Sequence, residues 1–172
     1  MLIECIGDLA RTAPAEATLR MLLSRYTLDR FLLTRHIRIE PDIIPHSHPI
    51  LTLNTEFTDE PDRYLAGFLH EQMHWHVSGN EAGMYRAVAD FIDRYPEVPV
   101  GGAESAHNRF SVYLHFIVNW LELGALESCI GSTRTRELLA TQPYYRWIYA
   151  TLLKDEIEIA TINRRHGFDL PK

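Results

Sequence analysis

The segment His70-Glu71-Gln72-Met73-His74 brings together the residue types that bind a transition metal. Residues four apart on a helix stand one turn above each other, so both imidazoles can reach one ion at about 2.0–2.1 Å. Glu71 follows the first histidine, which places a carboxylate beside the remaining coordination position. There it can take a proton from water and pass it to a leaving group. The spacing therefore predicts a zinc (Zn2+) site. Zinc would lower the pKa of a bound water to roughly 7 and so activate that water.

The residues around this segment predict a helix over 58–78. Thr58 is a capping residue, acids and Pro61 follow it, and Gly79 and Asn80 are typical of a helix end. Several positions between these signals are apolar and provide a face to bury (Tyr64, Leu65, Phe68, Leu69, Met73, Val77). The alternative interpretation is a helix with two ordinary surface histidines and an adjacent acid.

The motif resembles the active-site helix of the zincin metallopeptidases. In that group a small sheet precedes the helix, and its edge strand pairs with the extended substrate backbone. The resemblance covers roughly residues 50–79. It implies His70 and His74 as metal ligands, Glu71 as general base and residues 50–54 as the strand that pairs with substrate. The implied activity is zinc-dependent hydrolysis, first of all of a peptide or protein substrate.

The sequence departs from the patterns of the zincin subfamilies. A metzincin carries Gly and His where this chain has Val77 and Asn80, so that subfamily is excluded. Peptide deformylases add a Cys ligand in a glycine-bearing segment before the motif, and Cys5 lies far from it. Gluzincins add a Glu on a later helix, often within an N-E-x-x-S-D type sequence, and none appears. The third ligand therefore has to be found from the residues themselves.

A long helix predicted over 104–130 provides the candidates for the third ligand. It is apolar over most of its circumference, which is typical of a central helix. Asn108, Ser111, His115, Asn119 and Glu122 follow one another at spacings of 3, 4, 4 and 3, forming a polar stripe. A buried stripe needs polar partners, which a metal centre would provide, whereas the alternative is a stripe that faces solvent. We expect His115 as third ligand, with Glu122 as alternative ligand or as acceptor of a ligand's ring N–H.

Two tyrosines are candidates for a further catalytic role. A tetrahedral intermediate in acyl transfer needs an electrophilic partner besides the metal, and Tyr, His or Arg often provides it. Tyr145 and Tyr149 lie in an aromatic segment that follows a proline. We expect one of them in this role, and packing in the core is the alternative for each.

For the remaining candidates we favour structural interpretations. His46 and His48 lie in a Pro-rich loop, where we expect exposure, with a part in shaping the cleft as the alternative. Trp75 is expected in the core. Asp90 and Asp93 are less favoured competitors for the metal, and we expect them to face solvent.

The pattern along the chain predicts an α+β fold that is predominantly helical. It is a zincin-like minimal fold, with a small sheet before the motif helix and a long central second helix. We expect a single metal-binding domain over residues 1–172. Its other predicted elements are a helix over 14–34, strands over 36–40 and 50–54, a helix over 81–95, a loop over 96–102, and one broken helix or two over 133–166.

Composition excludes several classes of protein. The 172 residues are 46% hydrophobic and 23% charged, as in a globular domain, and the net charge is -6 with scattered basic residues, so no nucleic-acid partner is expected. No apolar stretch approaches the length of a membrane span. The first residues lack the pattern of a signal peptide, and Cys5 and Cys129 are the only cysteines, so we expect a cytoplasmic protein. The apolar long helix leaves room for a homodimer.

Two other functions stay open at this point. One is a catalytically weak or inactive metal-binding module with a regulatory or structural role. Closed coordination by four protein ligands, for example with both His115 and Glu122 bound, would favour it, because catalysis needs an open position. The other is a helical protein without metal, in which the motif is accidental.

Overall fold

The computed structural model describes residues 1–172, and their contacts group into two compact units. Unit 1 contains residues 1–76 with 171–172, and unit 2 contains residues 77–170. The chain forms seven α-helices and one three-stranded sheet, which confirms the predominantly helical α+β class. The single domain expected from the chain length stays a prediction, as does the zincin-like detail of the fold.

Unit 1 contains the sheet. Its strands β1 (Leu2–Cys5), β2 (His36–Ile39) and β3 (Leu51–Leu53) are parallel and lie in the order β1-β2-β3. Parallel neighbours need a crossover connection, and helix α1 (Leu9–Arg25) provides it between β1 and β2. The two predicted strands are confirmed with shorter bounds. β1 was not predicted, because Leu2-Ile3-Glu4-Cys5 does not alternate between polar and apolar residues.

The outer side of β3 is partly occupied in the structure. The backbone N–H of Thr52 donates to the carbonyl of His46 at 2.8 Å, and the His46 N–H donates to the Thr52 carbonyl at 3.0 Å. An extended substrate would need these same groups of Thr52 to lengthen the sheet. At this position the predicted substrate-pairing strand is therefore wrong, since Thr52 already pairs within the chain.

The first helix lies earlier in the chain than predicted. α1 begins at Leu9 and ends at Arg25, instead of covering 14–34. Asp8 caps it, since its Oδ1 accepts the N–H of Ala10 at 2.9 Å. Pro14, taken as the first residue of the helix, lies inside it. Between α1 and β2 the only helical element is a short 3-10 helix (Asp29–Phe31).

The motif helix is confirmed as α2 (Pro61–Ser78), but it begins at the proline, and Thr58, the predicted capping residue, lies in a turn before it. Leu65, Phe68, Leu69 and Met73 are fully buried. The motif's own Gln72 is also fully buried, and it holds the segment before β2. Its Oε1 accepts the N–H groups of Leu33 and Thr34 at 2.9 and 3.0 Å, and its Nε2 donates to the Thr34 carbonyl at 3.0 Å.

Unit 2 is built around the long helix. Helix α4 (Arg109–Ile130) packs against all four other helices of the unit. They are α3 (Glu81–Arg94), α5 (Ser132–Ala140), α6 (Arg146–Lys154) and α7 (Glu156–Arg165). The predicted central position of α4 is confirmed within this unit. Most of the apolar surface of α4 is buried, and the possible homodimer stays a prediction.

Two boundaries in unit 2 differ from the predictions. α4 begins at Arg109 rather than at residue 104, because Asn108 caps it by accepting the N–H of Ser111 at 2.8 Å. The last segment forms three helices instead of one broken helix or two, since the chain leaves the helical path at Asp155, between α6 and α7. None of the seven helices combines the length and the apolar character needed to cross a membrane.

Candidate metal centre

The two motif histidines face each other across one turn of α2. Their Nε2 atoms are 3.3 Å apart, and their rings meet edge to face with centroids 5.0 Å apart. Two nitrogens bound to one tetrahedral zinc at 2.0–2.1 Å would be about 3.3–3.4 Å apart. A hydrogen bond between two neutral imidazoles would give the same distance, so this pair alone does not indicate a metal. His70 is buried and His74 is half-buried.

His115 on α4 is held in one tautomer by the backbone. Its Nδ1 lies 2.6 Å from the carbonyl oxygen of Ser111. A carbonyl only accepts hydrogen bonds, so Nδ1 carries the proton, and a neutral ring then has its lone pair on Nε2. Histidines that bind metals are commonly oriented by such a bond from the other ring nitrogen. The ring of Tyr145 packs against this imidazole, with centroids 4.4 Å apart.

The three histidines form one group. Each of His70, His74 and His115 provides a ring nitrogen, and these nitrogens all lie within 4.8 Å of one another. Three neutral imidazoles are a donor set that suits zinc, and also copper, iron and nickel. The residues therefore fit a bound transition metal, whose identity the geometry leaves open. Three protein ligands would leave one tetrahedral position for water or substrate.

Glu71 lies beside the first of these histidines on α2. It is buried, with 6% of its surface exposed. Trp75 follows it by four residues and therefore projects from the same face of the helix. The motif assigns Glu71 the role of general base, and that role stays a prediction.

The polar stripe of α4 is buried rather than solvent-facing. Ser111, His115, Asn119 and Glu122 are each at most 7% exposed, which excludes the alternative of a solvated stripe. Asn108 is the exception, since it is the exposed helix cap. Both amide atoms of Asn119 are buried, and neither has a hydrogen-bond partner among the protein groups.

Glu122 and Tyr149 pair with each other inside unit 2. The Tyr149 hydroxyl donates to Oε2 of Glu122 at 2.8 Å, and both side chains are buried. Glu122 is not part of the histidine group. Of the two candidate tyrosines, Tyr149 thus contacts the carboxylate, whereas Tyr145 contacts His115.

A cluster that the sequence did not predict lies beside α2 in unit 1. The indole N–H of Trp75 donates to the carbonyl of Ser47 at 2.8 Å, and the His48 ring stacks on the indole with centroids 4.1 Å apart. The Ser47 hydroxyl lies 2.8 Å from His48 Nδ1. Burial lowers the pKa of His48. Trp75 is only half-buried, so its predicted place in the core is wrong. The spacing of four residues between Glu71 and Trp75 already indicated that both lie on one face of the helix.

The two aspartates considered as competing ligands lie outside the histidine group. Asp93 is exposed, as expected. Asp90 is instead half-buried, and its Oδ2 lies 2.8 Å from His166 Nε2 and 3.0 Å from the Arg165 guanidinium. Asp90 therefore joins α3 to the end of α7.

The chain was compared with protein-family models, curated proteins and solved structures. No family model matches it, and no curated protein or solved structure is significantly similar to it.

Proposed function

We propose that the chain is a zinc-dependent hydrolase that cleaves peptide or related amide bonds. The observation that carries the proposal is the group of three imidazole nitrogens within 4.8 Å of one another, two of them from the motif helix. The preference for peptide bonds comes from the resemblance of this helix to that of the zincins.

The ligand set supports an enzyme over a closed structural site. Three histidines with one open position are an accepted catalytic arrangement for zinc. Glu122 would close the site as a fourth ligand, but the group of close-lying donor atoms contains the three histidines and not Glu122. The bond from His115 to the Ser111 carbonyl keeps the ring in the tautomer that binds a metal through Nε2.

Glu71 would carry the proton transfers. Bound zinc supplies a Lewis acid that makes water more acidic and polarises a carbonyl group. The Glu71 carboxylate takes a proton from water as the water oxygen attacks the carbonyl carbon. The same carboxyl then gives the proton to the amine nitrogen as the C–N bond breaks, so the products are a carboxylic acid and an amine.

Metal content tests the first half of the proposal. Protein purified without a His tag should contain about one zinc per chain, and His70→Ala, His74→Ala and His115→Ala should each reduce this content. His107→Ala changes an exposed histidine outside the group and is the matched control. Absence of any transition metal, with stability unaffected by a chelator, would overturn the proposal.

Turnover tests the second half. The zinc-loaded protein is incubated with a library of peptides, and cleavage is followed by mass spectrometry. Glu71→Gln should keep the metal and reduce cleavage about 10²–10⁴-fold, the usual contribution of a general base. Bound zinc without any cleavage would instead favour the inactive metal-binding module.

A further inference from the structure

The surface next to Glu71 is formed by the Trp75 indole and by the loop that covers it. Trp75 lies one helical turn after Glu71 on the same face of α2. Glu71 is buried, whereas Trp75 is half-buried. Part of the indole is therefore exposed to solvent, on the face of α2 that carries the proposed general base. The groups that contact the indole therefore lie on the face of α2 that carries Glu71.

Two adjacent loop residues make that contact. The Ser47 carbonyl accepts the indole N–H at 2.8 Å, and the His48 ring lies nearly parallel to the indole, at an interplanar angle of 23°. The Ser47 hydroxyl is 2.8 Å from Nδ1 of the same ring. The stack and this bond together hold the imidazole of an exposed residue in a defined orientation.

We propose that His48 is a substrate-contacting residue whose Nε2–H donates a hydrogen bond to the oxygen of the carbonyl group under attack. Ser47 and Trp75 are its positioning residues. The inference rests on the proposed hydrolase function and extends it to the residue that stabilises the developing charge.

The hydrogen bonds of His48 match this role. The Ser47 hydroxyl is able to donate to Nδ1, and in the tautomer that this bond favours the ring proton is on Nε2, which makes Nε2 a donor. Nε2 has no partner in the protein, and the ring is exposed, so the donor is available to a substrate. An oxygen that becomes negative during the attack gains most from a donor held in advance, and removing one such donor costs about 10²–10³-fold in kcat. The ligand class is a compound with an amide or ester carbonyl.

His46 in the same loop provides a matched control. It is also exposed, but its Nδ1 lies 3.0 Å from the Ile44 carbonyl, and its ring has no aromatic contact. The experiment compares His48→Ala and His46→Ala, with His48→Gln to restore a donor. Zinc content and thermal stability are measured for each variant. Peptide cleavage gives kcat and KM, and calorimetry gives the affinity of the zinc-loaded proteins for acetohydroxamate, a small carbonyl-bearing zinc ligand.

We expect zinc content to stay at that of the wild type in all three variants. His48→Ala should lower kcat about 10²-fold with little change in KM, and should weaken acetohydroxamate binding about 10-fold. His46→Ala should match the wild type, and His48→Gln should recover part of the loss. If the wild type cleaves peptides but His48→Ala equals His46→Ala in both readouts, the inference fails and the hydrolase function stands. If the zinc-loaded wild type neither cleaves peptides nor binds acetohydroxamate, both fail.

Discussion

The hydroxyl of Tyr149 donates a 2.8 Å hydrogen bond to the carboxylate of Glu122, and both side chains are buried in unit 2. Tyr149→Phe removes this donor and keeps the ring, so the buried carboxylate loses one hydrogen bond. We expect the free energy of unfolding to fall by about 1–3 kcal/mol. Urea denaturation measures the loss, and zinc content should not change. Tyr85→Phe, at an exposed tyrosine whose ring is kept, is the control and should leave the stability unaltered.

Gln72 is the residue of the motif whose replacement should affect folding most directly. Its amide makes three hydrogen bonds to the backbone of Leu33 and Thr34. Gln72→Ala leaves these groups without their partner, and we expect a loss of about 2–3 kcal/mol of stability. Gln72→Glu keeps the acceptor but not the donor and buries a charge, so it should not restore the stability. Equal denaturation midpoints for Gln72→Ala and the wild type would contradict this role.

Two glycines should respond in opposite ways to replacement by alanine. A Cβ at Gly83 would lie 2.3 Å from Asn80 Nδ2 and 2.5 Å from the backbone oxygen of His166, both far inside contact distance. Gly83→Ala should therefore destabilise by about 1–3 kcal/mol. A Cβ at Gly67, within α2, would meet nothing within 4 Å. Gly67→Ala should thus stabilise by roughly 0.5–1 kcal/mol, because alanine favours the helix. Thermal unfolding of both variants shows whether each substitution raises or lowers the stability.

Asp90 should make the stability depend on pH in the acid range. The hydrogen bond from His166, and then that from Arg165, lowers the pKa of the Asp90 carboxyl below its usual 3.8. The folded state therefore favours the ionised form. The stabilisation is present above the unfolded-state pKa and is lost as the pH falls through the folded-state pKa.

Asp90→Asn tests this linkage. It should lower the stability at pH 7 by about 0.5–1 kcal/mol, as expected for a partly exposed ion pair, and the difference from wild type should shrink below about pH 4. Asp93→Asn, at the exposed aspartate of the same helix, is the control. A difference that stays constant from pH 7 to pH 3 would show that the charge of Asp90 contributes nothing.

Local signals in the sequence were enough to predict several elements of the fold. Pro61 and the apolar spacing around the motif predicted α2. The nearly all-apolar circumference of α4 predicted its central position in unit 2. Where prediction failed, the cause was often a local choice between similar signals. Asp8 caps α1, which begins five residues before the predicted Pro14. Asn108 caps α4, which begins after the predicted Glu104. In each case a side-chain oxygen accepts a helix N–H.

The candidate site could be predicted from the sequence only in part. The spacing of His70 and His74 is a property of one helix, whereas His115 could be chosen only because it lies in a polar stripe on an otherwise apolar helix. The cluster of Ser47, His48 and Trp75 was missed, because its contacts join residues 28 positions apart in the chain. The pattern of apolar and polar residues does not indicate a contact between such distant positions. The pairing of Thr52 with His46 joins residues close in the chain, and it was missed because the Pro-rich segment around His46 shows no strand pattern.

The orientation of His115 has a consequence for how related sites are recognised. Its ring proton is held by a main-chain carbonyl one turn earlier, so the side chain at position 111 is not required for this bond. A substitution at position 111 can therefore change the sequence around His115 without removing this bond. Distant relatives of this centre would be identified by a lone histidine within a buried helix, and not by a second conserved motif.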